Sequence, residues 1–143
     1  MRSDYKNILV PVDGSEQAEH SFKTAVEIAK RNNAKLHILY VVDTRNVSLS
    51  PEYQPVTTGM TDHVEKQFVQ EMVKYATEAG VETQETITNG NPLTLIAEAF
   101  PKEYDIDLII VGATGKGAIT RALVGSVSQH VVKHAPCDVL VAR

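Results

Sequence analysis

The chain has 143 residues, 43% hydrophobic and 22% charged, with a formal net charge of -4. This fits one domain spanning 1–143 around a single core, and it argues against broad attraction to nucleic acid or to an anionic membrane surface. The lone Cys137 excludes an intrachain disulfide and gives no zinc pattern, so a reducing, cytoplasmic setting is expected; neither an apolar leader nor a run of roughly 20 apolar residues suited to a membrane span is present.

Asn7–Val12 reads as a short strand rich in β-branched residues. Pro11 near its end predicts a bulge or an exit, because proline cannot donate to a ladder. Asp13-Gly-Ser15 turns the chain, and Ser15 is a candidate N-cap. Ala18, Phe22, Ala25, Val26 and Ala29 recur at helical spacing, and Arg31-Asn-Asn33 closes that helix. A second strand runs from Ala34 to Val42. Residues 43–60 have no period, and a connection of that length is commonly a functional loop or a disordered one.

The next helix is predicted to begin near Thr61-Asp62, with Asp62 and Glu65 as a capping pair. Val64, Phe68, Met72, Ala76 and Ala79 form its expected apolar face, and Gly80 stands at the C′ position. Val81–Thr88 mixes β-branched and polar residues, as an edge strand does. Asn91-Pro92 is a cap followed by proline at the first helical position, with Leu93, Ile96, Ala97 and Phe100 continuing that helix. Asp107–Val111 is an apolar strand. Val127, Val131 and Val132 lie on a last helix that Pro136 ends, and Cys137–Ala142 is the final strand. Five strands alternating with four helices predict an α/β fold, a Rossmann-like sandwich with a parallel sheet and helices on both faces.

Four of the 8 glycines fall between Gly112 and Gly125, directly behind a strand. The phosphate-loop pattern fails, because Ala118 occupies its lysine slot. The dinucleotide pattern fails too, because Ala113 and Thr114 separate the first two glycines. What stands is Gly112-x2-Gly115-x9-Gly125-Ser126. Gly112 and Gly115 allow backbone N–H groups to turn toward an anion. Ser126 and Gln129 have capping-box spacing, which starts the last helix at Ser126 and leaves the amides of Val127 and Ser128 pointing outward. Lys116 and Arg121 add charge between these two elements, and together they suit a polyphosphate. The competing reading is plain: glycines that only turn the chain, a Ser126 that only caps, a solvated Lys116 and an Asp13 that serves its turn.

At this point the sequence resembles the universal stress protein family, in its ATP-binding branch. The resemblance runs nearly end to end: Ile8-Leu-Val-Pro-Val-Asp-Gly-Ser15, then the late glycine motif, then Ser126 through Arg143. It implies strand order 3-2-1-4-5 and a homodimer paired through the last strand, 138–142. It implies ATP as ligand, with Mg2+ carried on the phosphates. Carried over residue by residue, Gly112, Gly115, Gly125, Ser126, Val127 and Ser128 would hold the ribose and phosphates, with Lys116 beside them. Asp13 would sit by the adenosine with Pro11 and Val12, Val41 would meet the adenine through its backbone, and Thr44 would lie near it.

No catalytic residue stands out. Asp13 and Asp43 are a possible close pair, but neither is an obvious general base, so efficient ATP hydrolysis or phosphotransfer is the lesser alternative. A nucleotide-independent adaptor dimer is another, and any protein partners are unknown. His130 and His134 share a helix face at i, i+4, too few ligands for a protein-bound metal. Cys137 reads as a small buried hydrophobe.

Overall fold

Five runs of aliphatic and β-branched residues form the sheet: β1 (Asn7–Val12), β2 (Lys35–Asp43), β3 (Thr83–Gly90), β4 (Leu108–Gly112) and β5 (Asp138–Ala142). The computed structural model describes residues 4–13, 16–44, 58–113 and 126–143, with the backbone alone at 16–17 and 58–63. All neighbouring strands are parallel, in the order β3-β2-β1-β4-β5. The helices are α1 (Glu16–Asn32), α2 (Thr58–Glu78), α3 (Pro92–Thr94), α4 (Phe100–Glu103) and α5 (Ser126–His134), with a π-helical turn at Leu95–Ala99 between α3 and α4.

Each strand sends alternate side chains to opposite faces, and both faces are buried. Ile8, Val10, Leu36, Ile38, Leu108 and Ile110 meet Phe22 and Val26 of α1 and Val69 and Met72 of α2. On the other face Leu9, Leu39, Ile109 and Val111 meet Ile96, Ala97, Phe100 and Val131. Each fully buried aliphatic side chain of this kind contributes about 1.5–3 kcal/mol.

Several local expectations need correction. The second helix starts at Thr58, so Asp62 and Glu65 stand within it and are not a pair at its start. Val64 is 65% exposed, and the core positions on that helix are Glu65, Val69, Met72 and Ala76. A strict i, i+4 series drifts about 40° per step, so Val64 has turned away from the face that Met72 and Ala76 keep, and the Asp62–Glu65 spacing does not mark the helix start. The third strand lies two residues later than expected, leaving Val81 as a buried lead-in. Cys137 is only partly buried, packed against the second core face. Gly80 does have the positive φ, 85°, that its C′ place requires, and Asn91 does cap, its Oδ1 accepting from the Leu93 N–H at 3.0 Å. Ser15 lies outside the described residues.

The π turn was not foreseen. Pro101 follows it, and in a regular α-helix its ring would collide with the carbonyl of Ala97, four residues back. The wider turn, closed by the Phe100 N–H on the Leu95 carbonyl, accommodates the proline without ending the helical run.

Candidate functional site

The strand order reverses between β1 and β4, where a crevice is expected at the carboxyl ends of the strands. The register shows how it opens. β1 pairs with β2 along its whole length, from Asn7↔Lys35 to Val12↔Tyr40, but with β4 only at Ile8↔Leu108 and Leu9↔Ile109. The Asn7 carbonyl accepts from Asp107 on the β4 side, and the Lys6 carbonyl accepts from Lys35 on the β2 side. Successive residues of a strand alternate in this way, so residues 7, 9 and 11 face β4. Pro11 therefore faces β4 at the next donor position with no N–H to offer, and the two strands part beyond Leu9.

Where they part there is a cleft of about 170 Å³. Its floor is Pro11, Val12, Val41, Val111 and Gly112 at the strand ends. Ala18 and Ser21 of α1 wall one side, and Pro92, Ile96, Val127 and Ser128 wall the other. Asp13 and Asp43 stand at the rim over β1 and β2. A cavity of ~150 Å³ takes one small aromatic ring, whereas whole drug-sized ligands fill roughly 300–1,000 Å³. The cleft thus suits one flat ring system with the remainder of its ligand outside.

Of the residues singled out in the sequence, Pro11, Val12, Asp13, Val41, Gly112, Val127 and Ser128 are brought together here. Thr44 and Ser126 are exposed and do not line the cleft; the Thr44 N–H instead donates to the Gly90 carbonyl at 3.1 Å. Gly115, Lys116 and Gly125 lie outside the described residues, as do 45–57 of the long connection. Ala18, Ser21, Pro92, Ile96 and Val111 line the cleft as well, and no sequence motif marks them as site residues. The available signal was positional: Pro92 follows the end of β3, and strand ends gather at a crevice.

Ser128 is buried, and its hydroxyl donates to the Gly112 carbonyl at 2.6 Å. This bond fastens the first turn of α5 to the end of β4, so that both edges of the crevice keep their spacing. Ser128→Ala is expected to lower stability by about 1 kcal/mol, since a buried acceptor loses its donor. Urea denaturation measures this; an unchanged midpoint would show that the bond adds nothing. On the neighbouring face, burial pushes the Tyr40 hydroxyl above its ordinary pKa, and the carboxylates of Glu65 and Asp13 act in the same direction.

The sequence model of the universal stress protein family (Usp) matches residues 4–143. The chain belongs to the universal stress protein family. A universal stress protein of Staphylococcus aureus (strain USA300) is 44% identical over 140 residues, covering 97% of this chain and 84% of the relative. Among solved structures, the universal stress protein UspA of Lactobacillus plantarum aligns with a TM-score of 0.88 at 37% identity, over 99% of this chain and 100% of that one. A universal stress protein solved in complex with cAMP aligns with a TM-score of 0.72 at 27% identity, over 99% and 98%. The five-stranded order with flanking helices is the shared fold, and nucleotide binding occurs among these relatives. Among the described residues no helix is long and apolar enough to cross a membrane.

Proposed function

We propose that this universal stress protein binds ATP as a regulatory ligand and acts as a dimer. The observation that carries the reading is the crevice at the β1–β4 switch, with its apolar floor, a carboxylate rim on one side and the start of α5 on the other. The base enters the floor. The anionic tail runs away from Asp13 and Asp43 toward Gly112 and the free amides of α5, where the helix dipole favours negative charge. The cAMP complex of a relative supports a nucleotide of this kind. Gly115, Lys116 and Gly125 complete the phosphate end in this reading.

Mg2+ would be held by the phosphates themselves. Among the described residues no group of three or more His, Cys, Asp or Glu side chains is placed to hold a metal, and Mg2+ commonly binds through substrate phosphates and water. The dimer forms through β5, an edge strand of the sheet whose Val139, Leu140 and Val141 are only partly buried. ATP acts as a regulator by binding one state of that dimer better than the other.

Calorimetric titration with ATP, AMP and GTP tests the reading. The wild type is expected to prefer ATP, and Gly115→Val and Gly125→Val to lose at least 100-fold in affinity. Saturation at ~100 Kd should stabilise the wild type by about 2.7 kcal/mol. Equal binding by all three proteins, or none by the wild type, would refute it. Mass spectrometry of nucleotide released from gently purified protein gives an independent answer.

A further inference from the structure

The wall of the cleft beyond β3 has a construction of its own. Ile96 is 3% exposed and lines the cleft from inside the π turn. Three features hold that turn in place. Asn91 caps the helical run ahead of it, and Pro101 follows it. Gly90, at φ 152°, lies so close that a Cβ there would fall 2.8 Å from Leu95 Cδ1. The Gly90 carbonyl in turn accepts from Thr44, which ties the ends of β2 and β3 to one another. α3 packs on both β2 and α5, and the π turn packs on α5.

In the nucleotide reading the anionic tail lies toward Gly112 and the start of α5, which leaves the uncharged base to the part of the cleft nearer β1 and β2. Its apolar boundaries there are Pro11, Val41, Pro92 and Ile96. Proline at 11 and 92 cannot change rotamer, and Val41 belongs to the sheet. Ile96 and Val127 are the branched side chains that reach in from helical segments, and of the two Ile96 is the one next to α3, which packs on β2. A cleft of about 170 Å³ leaves little room past one ring system, so one side chain decides what else fits.

We propose that Ile96, presented by the π turn, is the specificity-determining residue of the base pocket, and that it restricts the site to bases without bulky substituents. This rests on the nucleotide-binding reading above. The test is calorimetry of the full chain and of Ile96→Ala, Ile96→Val and Ile96→Phe. The probes are ATP, ATP analogues carrying a benzyl or phenyl group at N6, C2 or C8 of the base, and inorganic triphosphate.

The wild type should take ATP and bind every substituted analogue at least tenfold more weakly. Ile96→Ala should improve at least one analogue tenfold relative to ATP, and Ile96→Val should improve it less. Ile96→Phe should weaken ATP at least tenfold while leaving inorganic triphosphate within twofold. Should the alanine variant fail to fold, judged by its thermal melt, the valine and phenylalanine variants decide. ATP binding with the same analogue preference in all folded proteins overturns this proposal alone. Failure of the wild type to bind ATP overturns the nucleotide reading, and this proposal falls with it.

Discussion

Asp107→Ala is expected to cost about 3 kcal/mol of stability, within a range of roughly 2–4. The Asp107 carboxylate accepts from the backbone N–H groups of Lys6 at 2.9 Å and Asn7 at 3.1 Å, and its own N–H donates to the Asn7 carbonyl at 2.9 Å. It is 7% exposed, so water is poorly placed to replace it. Alanine leaves two partly buried donors unsatisfied at the point where β1 and β4 begin their short pairing. Only Ile8↔Leu108 and Leu9↔Ile109 follow before the strands part. The clamp therefore holds shut one end of a strand pair whose other end must stay open as the cleft. Asp107→Asn keeps one acceptor oxygen and should lose about half as much. Urea denaturation gives the stabilities, and hydrogen exchange in β1 and β4 should quicken in the alanine variant. A loss under 0.5 kcal/mol would show that the clamp is dispensable.

The alternation of elements was legible because strand and helix periods differ so sharply in this chain. Val10, Ile38, Ile109 and Ile110 sit in runs too short and too apolar for anything but doubly buried strands. Phe22, Ala25, Val26 and Ala29 repeat at helical spacing and pack as expected. Strand order came from the family resemblance, since no single-strand pattern encodes which neighbour it takes. The site was legible where a motif sat at a strand end, as with Pro11, Asp13 and Gly112. It was not legible at Ile96, because an α-helical count treats that position as core, and the π turn that presents it depends on Pro101 and on room left by Gly90. Val64 stands outside the core because an i, i+4 series drifts about 40° per step, and three steps carry it about 120° from Ala76. Asp107 was read as the first residue of a strand, and its clamp joins residues a hundred positions apart, a distance that no local pattern spans.

His37→Gln is expected to flatten the acid side of the stability profile. His37 lies on β2 near the foot of the sheet and is 2% exposed. Its Nε2 meets Asn7 Oδ1 at 3.3 Å, and the rings of Tyr104 and Phe100 lie 5.4 and 6.2 Å away. Its buried Nδ1 has no hydrogen-bond partner among the described residues. Assigned from that environment, the neutral tautomer donates from Nε2 to Asn7 and leaves Nδ1 bare. Burial, and next the positive charge of Lys35, lower its pKa from 6.5 to about 4, while Glu82 opposes them. Between those two pH values the unfolded chain binds a proton that the folded chain refuses. Stability from this group is therefore complete above about pH 6.5 and is lost as pH falls toward 4. The gap between the two pKa values corresponds to about 3 kcal/mol at most. Carboxylates that titrate over the same range act alike in both proteins and cancel in the comparison. Urea midpoints from pH 7 to pH 4.5 should show the wild type losing about 2 kcal/mol more than His37→Gln. Parallel profiles would mean that the folded protein protonates His37 as readily as the unfolded chain does.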